Sequence, residues 1–169
     1  TARDAAQVAV IYNEGIRGRR ATFETAEHSA ADVLRWYDAS ESSRHPFLVA
    51  AGPNAGGAYA GKDVLGWVRA SEYRPRACYA SIAEFSVYVA DVVRGRGVGD
   101  ALMTAFIPAC EAAGLTKLVS RVFPENAASL ALCTRHGFRE VGVYERHAKL
   151  DGVWRDVVIV ERVMSVNMR

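Results

Sequence analysis

The sequence predicts a mixed α/β fold, for three reasons. Strand-like and helix-like periodicities alternate through the middle of the chain, a glycine-rich string joins one such strand to one such helix, and two long strand-like runs close the chain around Asp151-Gly152. At 169 residues the chain suits a single domain over 1–169, because a chain near this size buries roughly 70% of its unfolded surface. No internal repeat, linker or low-complexity tract divides it.

A first helix is expected from Asp4, an N-cap with Gln7 as partner, and from Val8, Ile11, Tyr12, Gly15 and Ile16 at helical spacing, ending near Arg17 or Gly18. Arg19 to Glu27 has no clear period. Ser29 and Asp32 then give the capping-box spacing ahead of Val33, Leu34, Trp36 and Tyr37, a second helix. Phe47 to Ala51 and Val64 to Ala70 read as strands around a Gly- and Pro-bearing loop from Gly52 to Gly61. In Glu84-Phe85-Ser86-Val87-Tyr88-Val89 strict alternation puts Phe85, Val87 and Val89 on one face and Glu84, Ser86 and Tyr88 on the other.

Val98, Leu102, Phe106 and Cys110 mark a third helix that Gly114 terminates and Pro108 should kink. Lys117 to Phe123 reads as a buried strand, and Asn126 caps a short fourth helix that runs to Arg135 and ends at Gly137. Arg139 to Lys149 and Val153 to Met164 form a terminal hairpin, since Asp-Gly favours a tight turn with positive φ at both central positions.

Half of the residues are hydrophobic and the formal net charge is +2, which suggests neither disorder nor a broad grip on nucleic acid. Cys78, Cys110 and Cys133 form no CxxC pair and leave one over, so reduced thiols and a cytoplasmic location are expected. No run approaches the roughly 18 apolar residues of a membrane span, and no signal-peptide pattern stands at the start, so no membrane association is expected. The chain opens on Thr1 rather than methionine, which leaves open whether part of a first strand precedes it. His28, His45, His136 and His147 show no ligand spacing, and no metal site is expected.

The chemistry concentrates in Arg94-Gly95-Arg96-Gly97-Val98-Gly99, set between strand and helix, where free N–H groups and the helix dipole favour an anion and glycines permit close approach. An ATPase-type phosphate loop needs Lys and then Ser or Thr after its last glycine; here Asp100 and Ala101 follow. A dinucleotide fingerprint needs glycine at the position of Asp100 and an acidic residue roughly 20 positions on, near Lys117, and has neither. Both nucleotide readings are disfavoured.

What remains resembles the GNAT superfamily of acyl-CoA N-acyltransferases, whose Q/R-x-x-G-x-G/A hallmark is matched by Arg94, Gly97 and Gly99. The resemblance extends through Asn126 and Ala131 to Phe138, a string similar to the family's cofactor-side helix ending in Gly-Phe. Ile11 to Glu14, Ala21 to Thr25, Glu84 to Val89 and Trp154 to Val157 resemble the phosphinothricin N-acetyltransferase group. Ala21 to Thr25, Leu150 to Gly152 and Trp154 to Glu161 are most similar to its arsinothricin-resistance branch.

The resemblance implies a mixed, mostly antiparallel central sheet flanked by about four helices, and acetyl-CoA as co-substrate. It implies that the cofactor is bound by Val87, Tyr88, Val89, the loop from Arg94 through Gly95, Arg96, Gly97, Val98 and Gly99 to Asp100, and by Asn126, Ser129 and Cys133. It implies Glu84 as catalytic base, acting through an ordered water; a solvated strand-end glutamate is the plainer reading. The Val89 N–H would stabilise the oxyanion.

Cys133 stands where the family often has a tyrosine acid, and is expected to pack against the cofactor arm rather than to catalyse. Asn126 is explained equally by capping and by pantetheine binding. A histidine common in the group is replaced by Asp151.

The acceptor implied is a small molecule, the α-amine of a glutamate-like amino acid of the phosphinothricin, arsinothricin or methionine sulfoximine type. Arg74 and Arg76, stiffened by Pro75, would grip its anions, and Phe23 would lie over the pocket, though core packing explains Phe23 as well. Detoxification would be the outcome. Another amine, such as a protein N-terminus, peptide or polyamine, and a non-catalytic acyl-CoA-binding module are the alternatives. A homodimer is expected by resemblance, supported by Val157, Val158, Ile159 and Val160 unless these are simply buried.

Overall fold

The computed structural model describes residues 2–52 and 63–168. Its elements are α1 (Ala5–Arg17), α2 (Ala30–Glu41), β1 (Phe47–Gly52), β2 (Asp63–Glu72), β3 (Ile82–Val89), α3 (Val98–Ala112), β4 (Lys117–Val122), α4 (Ala127–Arg135), β5 (Arg139–Leu150) and β6 (Val153–Val163). One six-stranded sheet runs in the order β1-β2-β3-β4-β6-β5. Every neighbouring pair is antiparallel except β3 and β4, which run parallel and are joined through α3. The expected mixed, mostly antiparallel sheet with four helices is what forms. The loop expected from Gly52 to Gly61 lies, beyond Gly52, outside the described residues.

Alternation along the strands divides the core between the two faces of the sheet. Phe85 and Val68 point to one face and pack with Leu102, Met103 and Phe106 of α3 and Leu132 of α4. Val64 and Trp67 point to the other and meet Val8 and Ile11 of α1 and Val33 of α2, with Tyr88 against them. Side chains of this kind each contribute about 1.5–3 kcal/mol when fully buried, so the faces are held by helix stripes rather than by helix propensity.

Local signals set the ends of the elements. Ser29 and Asp32 make the full capping box of α2, and the Asn126 side chain accepts the Ser129 N–H at the start of α4. Asp4 is different: it has helical backbone angles and makes no capping bond to α1, while the Gln7 side chain expected to partner it accepts the Val64 N–H at 2.6 Å. A tertiary partner has replaced the local one. Pro108 does not interrupt α3, which continues as one helix from Val98 to Ala112.

Asp151 and Gly152 both take positive φ (49° and 81°), as the tight turn between β5 and β6 requires. On the hairpin Val157, Val158 and Val160 are buried in the chain's own core and Ile159 is partly buried, so packing within the chain accounts for the three valines; the exposed apolar side chains there include Val141, Val143, Tyr144 and Trp154. Gly137 follows α4 at φ 75°, and a β-carbon built on it would stand 2.5 Å from Arg162 Nη1, whose guanidinium donates to the His136 carbonyl. Gly137→Ala should therefore destabilise the fold by about 2–4 kcal/mol, through αL strain and a displaced charge-assisted hydrogen bond. The urea midpoint of the variant measures this, and a change within experimental error would contradict it.

Candidate active site

The site begins where two strands separate. β3 pairs with β4 only at Ile82↔Lys117, Ala83↔Leu118 and Glu84↔Val119. Beyond Glu84, β3 keeps its β2 neighbour as far as Val89, and β4 keeps β6 as far as Val122. The Ser120 hydroxyl, donating to the Phe85 carbonyl at 2.9 Å, spans the start of the gap. Ala21, Val87, Ser120, Asn126, Ser129 and Cys133 line it.

Peptide groups along an antiparallel strand turn alternately to either side. The Ala90 N–H donates to the Leu65 carbonyl of β2 at 3.0 Å, so Ser86 and Tyr88 also turn toward β2. Val87 and Val89 turn the other way, into the gap. The gap thus presents strand-like backbone donors and acceptors to an extended amide-bearing chain.

At its open end lies the glycine string. Gly95 and Gly97 have φ of 73° and 82°, and a β-carbon on either would meet nothing within 4 Å, so the space above their backbone is open. The first helical bond of α3 runs from the Ala101 N–H to the Gly97 carbonyl, which leaves the N–H groups of Val98, Gly99 and Asp100 without a helical acceptor. These donors, with the helix dipole, suit a diphosphate.

The two flanking charges behave differently from each other. Arg94 folds back, pairing with Asp91 at 2.5 Å and donating through Nε to the Val89 carbonyl, while Arg96 stays exposed. The Asp100 carboxylate is turned away from the loop, bonded by Arg135 at 3.1 Å and His136 at 3.2 Å, and Arg135 above all holds its pKa down. Its charge is thus compensated beside an anion site.

At the vertex of the gap, Glu84 receives both Nε, at 2.9 Å, and Nη2 of Arg121 on a single oxygen, Oε1. Among the described residues Oε2 has no hydrogen-bond partner. Sequence reasoning missed Arg121. The signal was present but needed the register: with Glu84 opposite Val119, the next β4 residue on the same face is Arg121.

Asn126 is engaged at both ends of its amide, accepting from Ser129 and donating to the Arg20 carbonyl at 3.3 Å, which is the capping reading. The Tyr88 ring lies on the α1 face, stacked with Trp67, and its hydroxyl donates to Ala21; burial raises its pKa. Phe23 packs edge-on against Phe123 at 4.8 Å, as a core reading requires. Arg74 and Arg76 are exposed on the connection between β2 and β3, with the Arg74 guanidinium 5.3 Å from the Tyr73 ring centroid. Val87, Tyr88, Asn126, Ser129 and Cys133 line the gap, Glu84 stands where its strands part and the glycine loop follows β3, whereas Arg74, Arg76 and Phe23 lie outside the lining.

Residues 13–138 match the model of the Acetyltransferase (GNAT) family. The chain belongs to this family. It is 31% identical over 158 residues to an L-methionine sulfoximine/L-methionine sulfone acetyltransferase of Pseudomonas paraeruginosa, covering 94% of this chain and 88% of that one. It is 30% identical over 152 residues to a phosphinothricin N-acetyltransferase of Streptomyces coelicolor, covering 90% and 86%. Among solved structures, a GNAT superfamily phosphinothricin acetyltransferase from Sinorhizobium meliloti in complex with acetyl-CoA superposes with a TM-score of 0.86 at 26% identity, covering 97% of this chain and 85% of that one.

The chain is an acetyl-CoA-dependent N-acetyltransferase, and the open glycine loop and unpaired β3 backbone fit the cofactor. Among the described residues no helix is long and apolar enough to cross a membrane, and no cluster of side chains suits a metal ion.

The thiols allow a direct check on the geometry of this GNAT site. Cys133 is 3% exposed and burial pushes its pKa up to about 11; Cys110 is buried and pushed up to about 12, whereas Cys78 is exposed. Ellman's reagent at pH 8 should therefore titrate one thiol in the native protein, Cys78, and all three in denaturant. Rapid native labelling of Cys133 would contradict the packing described.

Proposed function

We propose that this GNAT enzyme acetylates the α-amine of a small glutamate-like amino acid, of the phosphinothricin, methionine sulfoximine or arsinothricin type, and so detoxifies it. The observation that carries the reading is Glu84, at the point where β3 and β4 part, with Oε1 held by Arg121 and Oε2 free of side-chain partners. The names of the relatives, methionine sulfoximine and phosphinothricin acetyltransferases, support the acceptor class.

The α-amine of a free amino acid is more basic than a peptide N-terminus, whose pKa is about 8, so at neutral pH it is almost wholly ammonium and must lose a proton before it attacks. Glu84 Oε2 accepts that proton, directly or through one ordered water. Acetyl-CoA supplies the thioester, with its diphosphate on the amides of the Arg94–Gly99 loop and Val98–Asp100, and its pantetheine arm along Val87–Val89 past Asn126, Ser129 and Cys133. As the carbonyl becomes tetrahedral, the Val89 N–H, turned into the gap, donates to the developing oxyanion.

Cys133 is not the general acid in this reading, because burial raises its thiol pKa to about 11, above that of the leaving thiolate, and makes proton transfer from it uphill. The leaving thiolate has an intrinsic pKa near 8.5, so it departs as the anion or takes a proton from water. Arg74 and Arg76, rigidified by Pro75, bind the acceptor's anionic groups from the β2–β3 connection.

Glu84→Gln should bind acetyl-CoA as the wild type does and lose about 10²–10⁴-fold of its kcat on phosphinothricin at pH 7. Activity should recover in part as pH is raised well above 8, where a growing fraction of the amine is free without a base. Thiol release followed across pH, against a panel including phosphinothricin, methionine sulfoximine and arsinothricin, tests both base and acceptor. Unchanged turnover at pH 7 would sink the assignment of Glu84.

A further inference from the structure

A cavity of about 830 Å³ opens on the sheet face that carries Glu84. The C-terminal half of α2 walls one side with Trp36 and Ser40, the segment around Tyr79 to Ser81 closes an end, and Arg69, Ser71 and Ile82 contribute from the strands. Its position follows from register. Arg69 lies opposite Ser86 and Ser71 opposite Glu84, so Arg69 and Glu84 are diagonal neighbours on one face, about 7–8 Å apart at their backbones.

Arg69 is unusual among the arginines of this chain. Its guanidinium lies 4.6 Å over the Trp36 ring, and it makes no ion pair or hydrogen bond among the described residues. Removal from water disfavours its charge, yet a guanidinium stays protonated, so a desolvated cation stands beside an open cavity without a counter-ion.

The neighbouring ionisable groups do not supply one. Arg44, which also lines the cavity, is a second cation. His45 is pushed toward its neutral form, chiefly by burial. Glu72 is the one carboxylate of the lining, and it sits on the opposite side of the β2 pleat from Arg69.

We propose that Arg69, stacked on Trp36, binds one of the two anionic groups of the acceptor inside this cavity and thereby sets the acceptor's amine against Glu84. The ligand class is a small amine carrying a carboxylate or phosphinate within two to four bonds of its nitrogen. This rests on the acceptor reading above and deepens it: the outer anion meets the exposed Arg74 and Arg76, and the inner one meets Arg69. The planar guanidinium matches a bidentate oxyanion, and the aromatic face beneath it holds the fork in place at little entropic cost.

The test compares wild type, Arg69→Gln and Arg69→Lys, with thermal unfolding as the check on folding. Arg69→Gln should raise the KM for phosphinothricin about 10- to 100-fold and leave the KM for acetyl-CoA unchanged. The loss should vanish for whichever phosphinothricin analogue has the bound anion neutralised, the α-carboxamide or the phosphinate ester. If the glutamine variant does not fold, the lysine variant, which keeps the charge and loses the bidentate fork, should show a smaller rise of the same kind. Equal KM changes for the charged and neutralised analogues, or none, would overturn the assignment.

Calorimetric titration of phosphinothricin into the coenzyme A-bound protein separates this from the acceptor reading. Binding that Arg69→Gln abolishes, without turnover in the wild type, would sink the acceptor reading and keep the anion site. No binding to the wild type would sink the site itself.

Discussion

The β3–β4 ladder ends at Glu84, and the functional geometry depends on that ending. Neither strand is left without support, since β2 continues along β3 and β6 continues along β4. The gap therefore opens inside a sheet that is bonded on both outer sides. An unpaired strand edge elsewhere would be an association hazard; here it is enclosed and forms a backbone template for an amide-bearing ligand. The same interruption puts a carboxylate at the vertex and the N-terminus of α3 at the open end.

The two sheet faces divide the labour. On one, α3 and α4 bury Phe85, Leu102, Phe106 and Cys133, which fixes the glycine loop relative to the gap. On the other, α1 and α2 cover Trp67 and Tyr88, while Arg69 and Ser71, which line a cavity, share the face with their β3 partners Ser86 and Glu84. A sheet face that is apolar under the helices and polar beyond them is what an amine acceptor with charged groups needs. Arg121 belongs to this polar row, and by occupying Oε1 it fixes which oxygen of Glu84 remains for chemistry.

Much of this was legible in the sequence because the signals were local. The capping box at Ser29 and Asp32, the Asp151-Gly152 turn, the alternation from Glu84 to Val89 and the glycines ahead of α3 each act within a few residues, and each formed as its spacing implied. What escaped was tertiary. Arg121 reaches Glu84 across 37 positions, Gln7 caps β2 rather than its own helix, and the exposure of Arg69 to a cavity depends on where α2 stops covering the sheet. The valines of β6 looked equally suited to a core or an interface until burial decided between them.

Acetyl transfer at this site requires the backbone of β3 to be available to the cofactor, and amide hydrogen exchange followed by NMR reads that directly. Adding coenzyme A should slow exchange at Val87, Val89 and Val98 to Asp100, and leave Tyr88, already turned to β2, as protected as before. Protection confined to other segments, with the Val87 and Val89 amides exchanging as fast as in the free protein, would contradict it.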